Sequence, residues 1–261
     1  DSSGGAPVLD DHRWSRQNVL DLLRGLPPDT LVGLDLGISL PFDDCDAFFP
    51  GWEESPADAR ALWKLVDELC GADLHLGAHG FVEHPEAVAY FRNGTAEGPR
   101  FRCDGAKHGR GRFRVTEREQ ARIGCRPTSN FNLVGASQVG KSSLTGMRVL
   151  HQIGGAVPVW PIDDLPTRGS VIVEIYTTIA AIDSGRSAAA SKMRTLEELN
   201  AGLAQLGCPL MTGSGPIDDH SSDALLSAAW LRIAADKPEL WNPRRLTDAV
   251  ARTEGWTFGV P

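Results

Sequence analysis

The chain has 261 residues, 41% of them hydrophobic and 23% charged, which is typical of a globular protein that can bury a sizeable core. It contains no run of eighteen apolar residues and does not open with a charged-then-apolar stretch, so the sequence predicts neither a membrane span nor a secretion signal. The net charge of −8 excludes a general attraction to nucleic acid and leaves such binding to local basic patches.

The cysteines are scattered, odd in number and free of any C-x-x-C pair. They are Cys45, Cys70, Cys103, Cys125 and Cys208. This usage is typical of reduced thiols, and we expect a cytoplasmic protein. One stretch crowds together Cys70, His75, His79 and His84. Their spacing fits no standard zinc site, so we expect loop or core residues there rather than metal ligands.

The first half of the chain predicts two helices around a strand. Apolar residues recur at helical spacing in "SRQNVLDLLRGL" (residues 15–26), and "TLVGLDLGISLPF" (30–42) is typical of a continuously buried strand. The segment "SPADARALWKLVDEL" (55–69) predicts a second helix, capped by Ser55 with Pro56 in its first turn.

The stretch from Gly94 to Arg126 reverses the charge of the chain. It is rich in glycine and contains nine Arg or Lys residues against four acids. One interpretation is an arm that contacts phosphates, so that the part from Arg100 to Arg126 would bind nucleic acid. The other is a solvated, partly mobile insertion in the fold.

Further strands and helices follow in the second half. The β-branched segment "SVIVEIYTTIAAI" (170–182) predicts a strand. "SKMRTLEELNAGLAQLG" (191–207) predicts a helix closed by Gly207, and "DDHSSDALLSAAWLRIAA" (218–235) predicts another. Strands that alternate with helices indicate an α/β fold, which we expect to form one domain over residues 1–261.

Residues Gly135 to Ser142 spell G-x-x-x-x-G-K-S, the phosphate-binding P-loop pattern. A true P-loop needs an apolar strand before its first glycine and a helix after its lysine. Here only "FNLV" precedes the pattern, and the helix would meet Gly146 almost at once. Three interpretations remain open: a nucleotide-using P-loop, a loop that offers Lys141 and Ser142 to a phosphate, or a structural loop.

Several acidic residues lie in segments predicted to be buried, where a charged side chain would cost folding free energy. Asp35 and Glu174 interrupt apolar strands, where a carboxylate must be paired, protonated or bound to metal. On the last long helix, Asp219 and His220 lie four and three residues before Asp223, so the three side chains share one face, although Asp219 could also cap the helix. Converging carboxylates suit Mg²⁺ or Mn²⁺, which support phosphodiester cleavage.

Five short motifs occur along the chain in an order that resembles a known family. The segments are "DSSGG", "GLDLGISLP", "VEIYT", "DDHSSDAL" and "EGWTFGVP". Together they resemble domain-of-unknown-function family 429, whose members are predicted nucleases with an RNase H-like fold. The resemblance covers nearly the whole chain and implies a mixed sheet flanked by helices, here with a basic glycine-rich insertion at about 94–126. One departure is Ser2, which stands where the family has tryptophan.

The resemblance also assigns roles. It implies that Asp1, Asp35, Glu174 and Asp223 form the metal-binding catalytic cluster, assisted by Asp219 or His220. The spacing of His220 and Asp223 is similar to the last-helix motif of RuvC-like junction resolvases. We therefore expect a Mg²⁺- or Mn²⁺-dependent nuclease, a hydrolase. The alternatives are a P-loop-type NTPase or kinase, and an RNase H-like binding module without catalysis.

Overall fold

The structure is a computed structural model that describes residues 5–10, 12–104, 111–135 and 138–261. The helices are α1 (Arg16–Arg24), α2 (Ala59–Leu69), α3 (His79–Val82), α4 (Val115–Arg122), α5 (Val139–Ile153), α6 (Thr177–Asp183), α7 (Leu196–Gln205), α8 (Asp219–Ala234), α9 (Pro238–Trp241) and α10 (Asp248–Thr253). The strands are β1 (Leu31–Leu34), β2 (Arg92–Asn93), β3 (Ala96–Glu97), β4 (Val159–Trp160) and β5 (Val171–Glu174).

The main sheet is small and parallel. Its strand order is β1-β5-β4, and Leu34 at the end of β1 pairs with Glu174 at the end of β5. A separate antiparallel hairpin joins β2 and β3. The predicted α/β class is therefore confirmed. The expected mixed sheet is not found among the described residues, because the strands that pair in the main sheet all run in one direction.

Helices cover both faces of this sheet. On β5, Val171 and Val173 pack into a core with α6, α7 and α8, whereas Ile172 packs into a second core with α1, α2 and α5. Alternate residues of a strand point to opposite faces, so a strand between two cores is apolar at every position. This explains the uninterrupted apolar run that identifies β5 in the sequence.

Strand β5 is much shorter than its apolar run. It ends at Glu174, and Thr177–Asp183 form α6, so the predicted strand over 170–182 is wrong in its second half. The residues Ile179, Ala180 and Ala181 are buried in α6, in the core that α6 forms with α7 and α8. Since a short apolar run suits a buried helix as well as a buried strand, tertiary packing decides between them. Likewise β1 stops at Leu34, before the end of the predicted strand.

Helix α5 runs through the glycines of the P-loop pattern. It continues unbroken from Val139 to Ile153, so the expectation that Gly146 would interrupt it is wrong. A side chain at Gly146 would come within 2.6 Å of Leu36, and one at Gly140 within 2.5 Å of the Asn130 carbonyl oxygen. These two glycines therefore permit close packing of α5, a structural reason for their presence.

Of the other helix predictions, that for α2 differs in its cap. Helices α1 and α7 form where expected, capped by Ser15 and Thr195. Helix α2 is capped by Asp58, whose side chain accepts the Ala61 N–H, and not by Ser55. The Ser55 hydroxyl instead accepts the Phe49 N–H.

No helix in the described ranges is long and apolar enough to cross a membrane.

The basic segment is partly solvated and partly buried where it is described: residues 94–97 are exposed, whereas residues 111–117 are buried. Arg112 and Arg114 are 1% exposed, and each forms an ion pair with buried carboxylates. Arg102, Arg118 and Arg122 pair with acids at the surface. The described arginines thus mostly hold the fold together, and residues 105–110 lie outside the described ranges.

Candidate functional site

An open cavity of about 500 Å³ lies at the carboxyl ends of β1 and β5. In α/β proteins this end of a parallel sheet is where ligands usually bind. The cavity is lined by predicted site residues, Asp35, Glu174, His220 and Asp223, and by cationic residues, Arg126 and Lys192. Four of the acidic-site residues expected from the sequence therefore meet at one place.

Asp35 directly follows the last residue of β1 and is accessible to solvent. The pKa of its carboxyl group is raised to about 6, and the largest cause is desolvation, because protein on the sides away from water displaces part of its hydration. The nearby Asp223 and Glu174 raise it further, while Lys192 and His220 oppose them. Asp35 therefore lies in a negative environment that would favour a bound cation or proton.

Asp223 and His220 reach the cavity from α8, as their three-residue spacing predicts. The carboxylate of Asp223 accepts a hydrogen bond from the Lys192 ammonium, which is 50% exposed. Burial lowers the pKa of Lys192, but this hydrogen bond and the negative charge of Asp223 raise it more. Lys192 is thus the present counter-ion of the acid pair.

The first turn of α8 assigns different roles to its two leading aspartates. Asp218 is the cap, because its carboxylate accepts the Ser221 N–H at 3.0 Å and the Ser221 hydroxyl. Asp219 is the first helical residue and is not among the residues that line the cavity. Asp219 is therefore neither the cap nor a lining residue, and its charge acts on the cavity through Lys192.

Glu174 lines the cavity but is only 3% exposed, and protein donors occupy its oxygens. Arg114 donates to both oxygens, at 2.6 and 2.8 Å. The Thr257 hydroxyl and the Ile38 N–H add hydrogen bonds of 2.5 and 2.8 Å. A carboxylate that accepts four such bonds has little capacity left for a metal ion.

Arg114 is the centre of this buried group. Its guanidinium also binds Glu117 at 2.8 Å and the backbone oxygen of Glu254 at 3.1 Å. Burial alone would lower the pKa of Arg114, but Glu174 and Glu117 raise it strongly. The carboxylate of Glu254 accepts three backbone N–H groups, from Phe42, Asp43 and Val115, and burial still raises its pKa to about 7.

The two residues of the P-loop pattern that were predicted to bind a phosphate, Lys141 and Ser142, differ in their position relative to the cavity. Ser142 lines the cavity, and its hydroxyl donates to the Val139 carbonyl oxygen. Lys141 is exposed and is not a lining residue. In the described ranges no strand runs into Gly135; Asn132 forms only an isolated bridge with Arg92. The pattern therefore lacks the strand that a P-loop requires.

The ligand atoms of the acids do not form a closed metal site. Among the described residues, the one group of three His, Cys, Asp or Glu ligand atoms within 4.8 Å of one another is Asp44, Cys45 and Cys103. Asp1 lies outside the described residues. The Cys70–His84 stretch does not converge either: the Cys70 sulfur accepts the Phe81 N–H, and His84 stacks on Trp52.

Sequence reasoning missed three residues of this region. The alternating "RFRV" predicts arginines on an exposed face, whereas all four residues are buried, so local sequence gives no signal for Arg114. Lys192 and Arg126 have no local signal, since each lies in a polar stretch whose direction only the tertiary fold sets. Arg126 is exposed in the cavity and has no hydrogen-bond or ion-pair partner among the described residues.

Searches against protein families, curated proteins and solved structures found no match to this chain. The α/β class and the geometry of the cavity thus stand on the chain's own residues.

Proposed function

We propose that this protein is a divalent-cation-dependent phosphodiesterase that acts on nucleic acid, with an RNase H-like core. The observation that carries the proposal is the cavity in which Asp35, Asp223 and His220 meet beside two cationic side chains. Its volume of about 500 Å³ is in the range of small-molecule sites and suits a nucleotide unit. The order of the sequence motifs supports the same function.

Asp35 and Asp223 are the residues that would hold the cation. They come from different elements, and their mutual repulsion contributes to the raised pKa of Asp35. An acid whose charge is costly in the free protein gains most when a cation arrives, and oxygen ligands suit Mg²⁺ or Mn²⁺. His220 lies on the same side of α8 as Asp223 and completes the polar side of the site.

Glu174 fits a supporting role better than that of a ligand. Its hydrogen bonds to Arg114 and Thr257 fix the end of β5 beside Asp35. We therefore propose that Glu174 orients the site through the buried ion pair and contributes negative charge, while the cation binds to Asp35 and Asp223.

The cationic side chains would recognise the phosphate. Arg126 presents a guanidinium without a partner among the residues that the structure describes, and its fork of N–H donors matches phosphate oxygens. Lys192 already neutralises Asp223 and reduces repulsion between the acids and an approaching phosphodiester. A basic group on one side and acids on the other would orient the substrate across the cavity.

Without a bound cation, Asp35 is suited to accept a proton. A carboxyl group with a pKa of about 6 is largely ionised at neutral pH, yet it accepts a proton more readily than an ordinary aspartate. When Asp35 holds the cation it loses this basicity, so the proton of the attacking water would pass to solvent, and a bound Mg²⁺ would supply charge stabilisation to the phosphate oxygens. Solvent reaches Asp35 through the cavity, so the proton can leave to bulk water.

One observation favours a second function, a phosphate-binding module without cleavage. Lys192 holds Asp223, and the acids do not form a three-ligand group among the described residues. Such a cavity can bind a phosphodiester through Arg126 and Lys192 without activating water. The P-loop alternative has less support, since Lys141 does not line the cavity.

The test is cleavage of labelled single- and double-stranded DNA and RNA with Mg²⁺ or Mn²⁺. We expect metal-dependent products from the wild type and a loss of at least about 100-fold in Asp35→Asn and Asp223→Asn. Asp236→Asn is the matched control, because Asp236 is an exposed aspartate just after α8. Normal cleavage by the two cavity variants would exclude the proposed site.

Binding is measured in parallel, without metal. Arg126→Ala should weaken nucleic-acid binding about tenfold, the free energy of one charged hydrogen bond. Arg168→Ala is the control, since Arg168 is exposed and lies outside the cavity lining. Binding that depends on Arg126 without any cleavage by the wild type would favour the binding module over the phosphodiesterase.

A further inference from the structure

A second group of metal-binding side chains lies away from the cavity. Asp44 and Cys45 belong to a turn between β1 and α2. Cys103 comes from the segment after the β2–β3 hairpin. The two sulfur atoms are 3.2 Å apart, and the Cys103 sulfur is 3.8 Å from Oδ2 of Asp44. Cys45 and Cys103 are half-buried, whereas the Asp44 side chain is 5% exposed beside Arg112, so an ion would approach from the side of the thiols.

The turn that carries Asp44 and Cys45 is held in place by buried polar groups. Arg112 binds the Asp44 carboxylate at 2.6 to 3.0 Å and also donates to the carbonyl oxygens of Pro41, Ala47 and Phe48. An outer-shell partner of this kind fixes the direction of a ligating carboxylate. The Oδ2 atom faces the Cys103 thiol and accepts one hydrogen bond, from Arg112 Nε at 2.9 Å, so a second lone pair remains for an ion.

The charges of this group suit a divalent ion. Arg112 and Asp44 neutralise each other, so the site without metal is neutral when both thiols carry protons. If the thiols release those two protons to solvent, their two negative charges balance one divalent cation. The charge of the half-buried site is therefore zero before and after binding, and no oxidant or reductant is needed.

The separation of the sulfurs also favours a metal over a disulfide. Two sulfurs bound to tetrahedral zinc at about 2.3 Å are about 3.8 Å apart, so the pair would open by roughly 0.6 Å. A disulfide would require the sulfurs to close to about 2.05 Å, roughly twice that movement, and an oxidant as well. Thiolate ligands select soft or borderline ions such as Zn²⁺.

We propose that Cys45, Cys103 and Asp44 bind a structural Zn²⁺ ion that ties the turn after β1 to the segment after the β2–β3 hairpin. Thiolate ligation separates this site from the oxygen-rich cavity, where Mg²⁺ or Mn²⁺ is expected. The ion would join these two segments next to the Arg112–Asp44 ion pair and the hydrogen bond from Arg100 to the Pro50 carbonyl oxygen. Its loss should loosen these segments without removing the cavity residues.

The test uses the full chain, reduced and stripped of metal, titrated with Zn²⁺ against a chromophoric chelator. We expect one tight Zn²⁺ per chain, and binding at least about 100-fold weaker in Cys45→Ser and in Cys103→Ser. Titration with Co²⁺ should give the thiolate charge-transfer band in the wild type and lose it in both variants. Cys125→Ala is the control, because Cys125 is buried elsewhere.

A second measurement covers variants that fail to fold. In the wild type, stoichiometric Zn²⁺ should protect Cys45 and Cys103 from alkylation, as judged by mass spectrometry of the peptides. Three results would overturn the proposal: no stoichiometric Zn²⁺ on the reduced protein, Zn²⁺ binding that survives both serine substitutions, or a Cys45–Cys103 disulfide that forms in a protein without Zn²⁺ affinity.

Discussion

Two carboxylates lie at neighbouring strand ends, yet their surroundings differ. Glu174 ends β5 with 3% exposure and is held by Arg114, Thr257 and the Ile38 N–H. Asp35, one residue beyond the partner of Glu174 in β1, opens into the cavity, and its pKa is raised to about 6. One acid is closed in by donors, whereas the other faces solvent among like charges.

The difference teaches that an acid in an apolar strand has two physical solutions. A buried carboxylate can be satisfied by protein donors, in which case it supports the fold and its removal destabilises the protein. The carboxylate can instead face a cavity with too few protein donors to balance its charge. This lowers the stability of the free protein, and a bound ligand would restore it. The comparison therefore predicts opposite effects for substitutions at Glu174 and Asp35.

The largest effect should follow from removing the centre of the buried group. Arg114→Met leaves Glu117 and Glu174 without their guanidinium, and breaking such a buried pair costs about 3–5 kcal/mol of unfolding free energy. Arg118→Ala is the matched control, because its partner Asp43 is half-exposed and the pair should contribute less than about 1 kcal/mol. Chemical denaturation measures both, and equal losses would contradict the central role of Arg114.

An intermediate effect is expected at Glu174 itself. Glu174→Gln keeps the shape of the side chain but turns an amide NH₂ group toward donors of the protein. A buried donor left unpaired costs about 1–3 kcal/mol, so the unfolding free energy should fall by that amount. If denaturation instead shows a gain in stability, Glu174 is an under-compensated acid like Asp35, and the distinction between the two residues fails.

The smallest effect, of opposite sign, is expected at Asp35. Because its pKa is higher in the folded than in the unfolded chain, the folded protein loses stability as pH rises from about 4 through 6. Asp35→Asn removes this loss and should raise the Tm by about 1–3 °C at pH 8, a modest gain because water screens the exposed group. At pH 4 the two proteins should melt together.

Adding Mn²⁺ to the same melting experiment tests whether the cation binds at Asp35. Mn²⁺ should raise the Tm of the wild type at pH 8 and leave that of Asp35→Asn unchanged, since a ligand stabilises only the form that binds it. Melting scans with and without Mn²⁺ measure this directly. An equal shift in both proteins would place the ion elsewhere.

Much of the framework was predictable. Helices α1, α7 and α8, the buried strand β5 and the α/β class follow from apolar spacing and turn residues. The sequence also identified Asp35, because an acid in an apolar strand is unusual. It identified His220 and Asp223 because their three-residue spacing places them on one face of a helix. The limits of elements were less predictable: the Thr177–Asp183 segment became a helix, and Asp58 rather than Ser55 caps α2. The first outcome depends on packing against α8, which is distant in sequence, and the second on a turn in which Ser55 binds the Phe49 N–H instead.

The sequence by itself determined which segments are apolar, where most of the long helices lie and which acids stand in costly positions, because these properties depend on neighbours within a few residues. Only the tertiary structure decided that Glu174 is satisfied by Arg114, sixty residues away, while Asp35 remains open beside Lys192 and Arg126. It also showed that Lys141 of the P-loop pattern points outside this cavity. Long-range contacts distinguish a carboxylate that supports the fold from one available for chemistry, and local sequence carries no record of them.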